Sequence, residues 1–212
     1  MSDQLANARF AQEAVVEPDH IARARAHALE LGAEPVSPAV GAQCAVIAAA
    51  TAAANIVEIG SGAGVSGLWL LHGAPRAVLT TIDTEPEHLA AARQAFHDAK
   101  VPPARARFIR GRAADVLPRM NEASYDIVLV DADPESVIEY VEHGLRLVRP
   151  GGTVLVPRVL HGGRVADPVQ RDAVTTAYRS LIQETQNSPA VVGALSTVDD
   201  GLLQLTTVVD PR

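Results

Sequence analysis

The chain has 212 residues, 48% of them hydrophobic and 20% charged, which is the size and make-up of one globular domain with a sizeable core. A net charge of −7 argues against a nucleic-acid surface, which a basic patch would mark. A single cysteine, Cys44, excludes a disulfide framework within the chain, and the longest apolar run, residues 45–54, is far short of the ~20 residues that span a bilayer.

The first seven residues carry neither a basic nor an apolar leader region, so a cytoplasmic protein away from membranes is expected. Residues 3–15 and 18–31 predict two helices of mixed polarity, with Pro18 at a start and Gly32 after an end. Ser37-Pro38 opens a third, Ala-rich helix, with serine as N-cap and proline in the first turn. Cys44 falls within it as a small buried hydrophobe. From Asn55 onward, short β-branched runs (55–60, 77–82, 105–109, 125–131 and 152–157) alternate with helical stretches (65–72, 86–99, 113–120, 134–148 and 168–186). That alternation predicts a doubly wound, mostly parallel sheet. Two final strands, 190–196 and 202–209, are joined by only five residues, which permits a hairpin but no parallel crossover. The expected fold is therefore α/β, a seven-stranded, mostly parallel sheet with a C-terminal antiparallel hairpin. It is read as a single domain, 1–212, with residues 1–54 as a helical extension on a 55–212 core.

Residues 57–64 read Val-Glu-Ile-Gly-Ser-Gly-Ala-Gly. An acid, Glu58, ends an apolar strand, and Gly60, Gly62 and Gly64 then leave bare backbone N–H groups facing a crevice. An acid before the glycines suits a cationic or hydroxyl-bearing ligand such as S-adenosylmethionine (SAM). Gly62-Ala-Gly64-Val-Ser-Gly67 is also a formal G-x-G-x-x-G, with Asp83 about 20 residues on, as a dinucleotide site expects. The antiparallel end of the sheet favours SAM, because dinucleotide folds continue with parallel strands.

Asp83 closes the second strand, where a carboxylate can accept from both ribose hydroxyls; the plainer alternative is a helix cap. Ser66, in the first turn after the glycines, is placed to bond the methionine carboxylate. Asp131 and Asp133 close the fourth strand, one residue apart, and are expected to face the same crevice as Glu58 and Asp83. Arg105, Arg107, Arg110 and Arg112 read as a solvated strand face, and Arg149-Pro-Gly-Gly152 as a turn. The seven histidines are scattered, with no metal spacing and no support for a Ser-His-Asp triad.

Taken together, these residues resemble the cation-dependent O-methyltransferases, relatives of catechol and caffeoyl-CoA O-methyltransferases with the Rossmann-like class I fold. The likeness runs from Pro35-Val-Ser-Pro38 through Val57–Ser66, Thr81-Ile-Asp83, Gly111-Arg-Ala113 and Asp131-Ala-Asp133 to Leu160–Pro168 and Asp200-Gly-Leu-Leu203. It implies that Val36, Glu58, Gly60, Ser61, Ser66, Asp83, Thr84, Ala113 and Asp133 contact SAM, with Gly62 in the same loop. It also implies that Asp131, facing the cofactor crevice, holds a metal and the substrate. Dimers are common in that family, so a homodimer is expected.

Two departures fall where the chemistry lies. The family's Asp-Asn metal ligands are replaced by Pro157-Arg158, and its lysine base by Pro134. One carboxylate cannot assemble octahedral oxygen ligation for Mg²⁺, so no metal site is expected. The expected activity is SAM-dependent methylation of a small-molecule hydroxyl without a divalent metal, with Asp131 and Arg158 as the catalytic pair. A degenerate SAM-binding homologue, acting as sensor or interaction protein, is the alternative. Arg158 either pairs with Asp131 at the lost metal position or points to solvent.

Overall fold

A computed structural model describes residues 2–208. Helices α1 (Ser2–Glu13), α2 (Asp19–Glu30) and α3 (Pro38–Ala50) precede the sheet. Ser37 caps α3 as expected, accepting from the Val40 N–H at 3.3 Å. One half of the sheet is built from β1 (Asn55–Ile59), α4 (Val65–Gly73), β2 (Val78–Asp83), α5 (Pro86–Asp98) and β3 (Ala106–Arg110). α6 (Ala113–Val116), β4 (Tyr125–Val130), α7 (Val137–Leu147), β5 (Val148–Pro157) and α8 (Ala173–Gln186) follow, and the chain closes with β6 (Val191–Ser196) and β7 (Leu202–Thr207).

The strand order is β3-β2-β1-β4-β5-β7-β6. The first five strands are mutually parallel, and β7 is antiparallel to both neighbours. The short 197–201 link thus makes the expected hairpin; its last strand ends at Thr207, short of the predicted run, whose final residue, 209, lies outside the described residues. β1 and β4, covered on both faces, are almost wholly buried, which is why they read as continuous apolar runs. Alternate residues feed two cores. Ile56, Leu79, Ile127 and Leu155 pack under α2–α5, while Val57, Val128, Val130 and Val154 pack under α7 and α8.

With few aromatic side chains, the helices approach closely. A Cβ on Gly73 would stand 1.9 Å from the Ala45 carbonyl oxygen, so α3 and α4 touch backbone to backbone. Asp126 joins three elements. Its Oδ2 accepts from the Ala54 and Asn55 N–H groups at 2.7 and 2.8 Å, and its Oδ1 accepts from Arg149 Nε at 2.6 Å. Arg149 therefore has a structural task that its turn sequence did not disclose.

Several helix ends differ from the sequence reading. The 168–186 helix begins only at Ala173, because Asp172 caps it, accepting from the Thr175 N–H at 3.0 Å and from its hydroxyl at 2.8 Å. Helices 113–120 and 134–148 are each divided by a 3₁₀ turn at a proline, Pro118 and Pro134. β5 starts four residues early, at Val148, and its register with β4 shifts between Tyr125 and Ile127.

Candidate active site

The strand order reverses between β1 and β4, and a crevice opens at their carboxyl ends, where such sheets bind ligands. Gly60 makes it possible. Its φ is +91°, and a Cβ there would lie 2.0 Å from the Asp131 carbonyl oxygen. The two strand ends are clamped instead, with Gly60 N–H donating to Ile82 O and Asp131 N–H to Ile59 O, each at 2.8 Å. A cavity of about 430 Å³ follows, within the range of small-molecule sites. Gly60, Ser61, Gly62 and Ser66 line one wall, Asp83, Thr84 and Ala113 another, and Asp131 and Asp133 a third. The first turn of α4, whose N–H groups have no partner within the helix, lines this space through Val65 and Ser66.

Val36 and Glu58 stand behind the wall. The Val36 side chain is buried, and its carbonyl accepts from Arg25 Nη1 at 2.5 Å. Glu58 is fully buried. Its Oε1 accepts from the Ser66 hydroxyl at 2.7 Å and its Oε2 from the Thr81 hydroxyl at 2.6 Å. With its hydrogen so used, Thr81 accepts from the Ser61 hydroxyl, 2.5 Å away. Burial pushes the Glu58 carboxyl up to about 7, against the lowering effect of the Thr81 and Ser66 hydrogen bonds, and the charges of Asp131 and Asp83 add to the rise. Ser66, read from the sequence as a partner for the ligand's carboxylate, has its hydrogen committed to Glu58. The acid reaches the cavity through Ser66, which it holds directly, and through Ser61, which is held by way of Thr81.

Asp83 and Asp133 do local work as well as lining the cavity. Asp83 accepts from the Gly62 N–H at 3.0 Å and the Glu85 N–H at 2.9 Å, fixing the glycine loop against the start of α5. Asp133 accepts from the Ser136 hydroxyl at 2.6 Å and the Glu135 N–H at 3.3 Å, capping the turn into α7. Each oxygen keeps a free lone pair. Glu34, His88 and Tyr140 also line the cavity, and the sequence reading missed all three. They come from a loop and from helical positions that only tertiary packing brings here.

Arg158 follows β5 and turns back on the site. Its Nη2 donates to Asp131 Oδ1 and its Nη1 to the Glu34 carbonyl oxygen. Its φ is +58°, a left-handed conformation uncommon for a side chain of this size. Of the two sequence alternatives for Arg158, the structure shows the ion pair. Burial raises the Asp131 carboxyl, and the Arg158 guanidinium opposes that rise only in part. The pair lines both the first cavity and a second, of about 300 Å³, that extends toward α8 past Tyr178, His161 and Asp200.

A divalent cation does not fit these residues. Asp131 is occupied by a guanidinium, Pro157 offers no ligand atom on its side chain, and among the described residues no group of three His, Cys, Asp or Glu side chains is placed to hold a metal. Nor is any helix among the described residues long and apolar enough to cross a membrane.

The sheet order, the terminal hairpin and the crevice beyond β1 define the class I methyltransferase fold. A family model described as O-methyltransferase matches residues 18–207. The chain is 46% identical over 194 residues to a Mycobacterium tuberculosis protein named a probable O-methyltransferase, covering 91% of this chain and 87% of that one. Among solved structures, a Corynebacterium glutamicum protein superposes with a TM-score of 0.90 at 28% identity over 99% of each chain. An O-methyltransferase of tomaymycin synthesis from Streptomyces achromogenes, in complex with SAM, superposes at 0.83, with 28% identity over 95% of each. The chain belongs to the O-methyltransferase family.

Proposed function

We propose that this enzyme transfers the methyl group of SAM to a hydroxyl of a small molecule without a divalent metal. The observation that carries this reading is the Asp131–Arg158 pair, set on the wall that the two cavities share. The first cavity takes the methyl donor. Asp83 accepts from its ribose hydroxyls through the lone pairs left after Gly62 and Glu85, and the N-terminus of α4 faces its carboxylate. The second cavity takes the acceptor.

Sulfonium chemistry makes modest demands of the protein. As the acceptor oxygen attacks the methyl carbon, the C–S bond breaks and its electron pair returns to sulfur. The chain's task is to hold the oxygen about 3 Å from that carbon and to receive its proton. Asp131 receives it, since burial makes its carboxylate a better base than an exposed one. Arg158 supplies fixed positive charge beside it, keeps Asp131 ionised before the reaction, and holds its geometry.

We place the enzyme in the cytoplasm, on the single buried thiol of Cys44. We read it as a homodimer through its N-terminal helices, where Phe10 and Val46 are exposed; sedimentation of the full chain tests the dimer. The function is tested by incubating the protein with methyl-labelled SAM, EDTA and a panel of phenols and catechols. A methylated product found by mass spectrometry supports the reading. Product formed only when Mg²⁺ is restored would overturn it.

A further inference from the structure

A third cavity, of about 220 Å³, lies away from the two already described. Four basic side chains line it: His20 at the start of α2, His72 in the last turn of α4, Lys100 just past α5, and Arg105 in the turn before β3. No carboxylate lines this space, and among the described residues none of the four is in an ion pair. That is unexpected in a chain with 25 acidic residues against 18 lysines and arginines. α2 and α4 run from here to the first cavity, which Ala28 and Ser66 line, about 12 and 9 Å further along the two helix axes. The two spaces are therefore separate.

Helix dipoles do not account for this convergence. Cations suit the C-terminal ends of α4 and α5, which covers His72 and Lys100, but His20 stands at a helix N-terminus, where positive charge is disfavoured. Burial, and then the charges of His72 and Arg23, hold the His20 imidazole below its ordinary pKa, with Asp19 opposing them. The basic groups thus repel one another, and an anion between them would reverse that repulsion. Arg105 is pinned in place, its Nε donating to the Ala77 carbonyl oxygen at 3.0 Å and its Nη2 to that of Ala74 at 3.4 Å, with further N–H groups to spare. Lys100 is the only lysine of the chain and is held at φ +58°. Its N–H donates to the His97 carbonyl and that of Val101 to the Phe96 carbonyl, each at 2.9 Å, a helix ending in which glycine ordinarily takes this position. Asp98, the acid closest to Lys100 in sequence, accepts instead from Gln94 Nε2 at 2.8 Å.

We propose that the third cavity binds a phosphate group, free or carried by a small molecule, between His20, His72, Lys100 and Arg105. A phosphate offers several oxygens and up to two negative charges to donors arriving from four elements, which a single carboxylate cannot match. The remaining lining residues, Leu68, Leu71 and Val101 among them, are apolar and suit the organic part of a phosphate ester. The inference does not depend on how donor and acceptor occupy the first two cavities.

Inorganic phosphate, phenyl phosphate and acetate are titrated into the full chain at constant ionic strength, and the histidine ring signals are followed by NMR after assignment with single His→Gln variants. The His20 and His72 signals are expected to move with both phosphates, while that of His88, which lines the first cavity, stays in place. Both phosphates should bind at least about tenfold more tightly than acetate. Tighter binding of phenyl phosphate would mark an ester as the ligand, and equal affinity would mark free phosphate. Lys100→Gly should weaken phosphate binding by at least about fivefold and yet raise the melting temperature, because glycine accepts the left-handed backbone. Arg107→Gln removes the same charge from an exposed position on β3 and should change the affinity by less than about twofold. Movement of His88 alone, an equal response to acetate, unchanged affinity in Lys100→Gly, or equal losses in the Lys100 and Arg107 variants would overturn the proposal.

Discussion

The Arg158 guanidinium is bound to the Asp131 carboxylate from a backbone held at φ +58°, so an ion pair and a strained residue occur at one position. The two effects can be separated by substitution. Arg158→Ala leaves Asp131 buried without its partner and keeps the left-handed strain. Arg158→Gly also removes the partner but relieves the strain, and is expected to be more stable than Arg158→Ala by about 1 kcal/mol. Adding Asp131→Asn to either variant should recover stability, because the uncompensated charge is gone. Urea unfolding of the four proteins measures this, and equal stability of the Gly and Ala variants would show that the backbone is relaxed.

Because the guanidinium already neutralises Asp131, neither Mg²⁺ nor EDTA is expected to move the melting temperature. A Mg²⁺-dependent rise that disappears in Asp131→Ala would mean that Arg158 swings aside and a cation replaces it.

Asp83 is expected to contribute to donor binding directly and through the glycine loop. Asp83→Ala removes the acceptor for the Gly62 and Glu85 N–H groups as well as for a ribose. SAM affinity should fall by roughly 1.5–3 kcal/mol, the scale of hydrogen bonds to a charged group. Calorimetry on the folded variant decides it; unchanged affinity would place the ribose elsewhere.

How far the sequence revealed this site depends on the range of the interaction involved. β-branched runs alternating with helices, and a five-residue link before the last strand, are local signals, and the sheet with its hairpin followed from them. The glycine loop was legible for the same reason, since positive φ and close approach select glycine. Hidden from the sequence was convergence across the chain. Ser66 and Thr81 stand 8 and 23 residues from Glu58, and no spacing rule says that all three close into one buried network. Tyr140 and Tyr178 lie on helices, where an isolated tyrosine reads as core. The late start of α8 had a local signal, Asp172 three residues before Thr175, which the apolar periodicity overshadowed.

Asp126 is expected to be among the most stabilising polar side chains. Burial opposes its ionisation, but the Asn55 and Ala54 N–H groups and Arg149 outweigh it and hold the carboxyl below the usual range. A depressed acid contributes stability above its unfolded pKa and loses it as pH falls through its folded one. Asp126→Ala should therefore cost about 3 kcal/mol at neutral pH, with two N–H groups stranded, and progressively less in acid. A cost that does not shrink on acidification would mean that packing, rather than charge, is what Asp126 supplies.

Glu58 should show the opposite dependence. Its carboxyl is raised from 4.5 to about 7 in the folded protein, so between those values the native state holds a proton that the unfolded chain has released. Stability then falls as pH rises through this window and levels off above it, the reverse of the Asp126 contribution. A shift of that size corresponds to ~3 kcal/mol across the window. Glu58→Gln fills the same space and can still bond the Ser66 and Thr81 hydroxyls, but it has no proton to lose. The variant is thus expected to match the wild type near pH 4.5 and to exceed it in stability above pH 7, by up to the same ~3 kcal/mol. Subtracting the two unfolding curves cancels the titrating groups that do not interact with Glu58. A difference that stays flat from acid to neutral pH would mean that Glu58 is ionised throughout, with Ser66 and Thr81 fully compensating its burial.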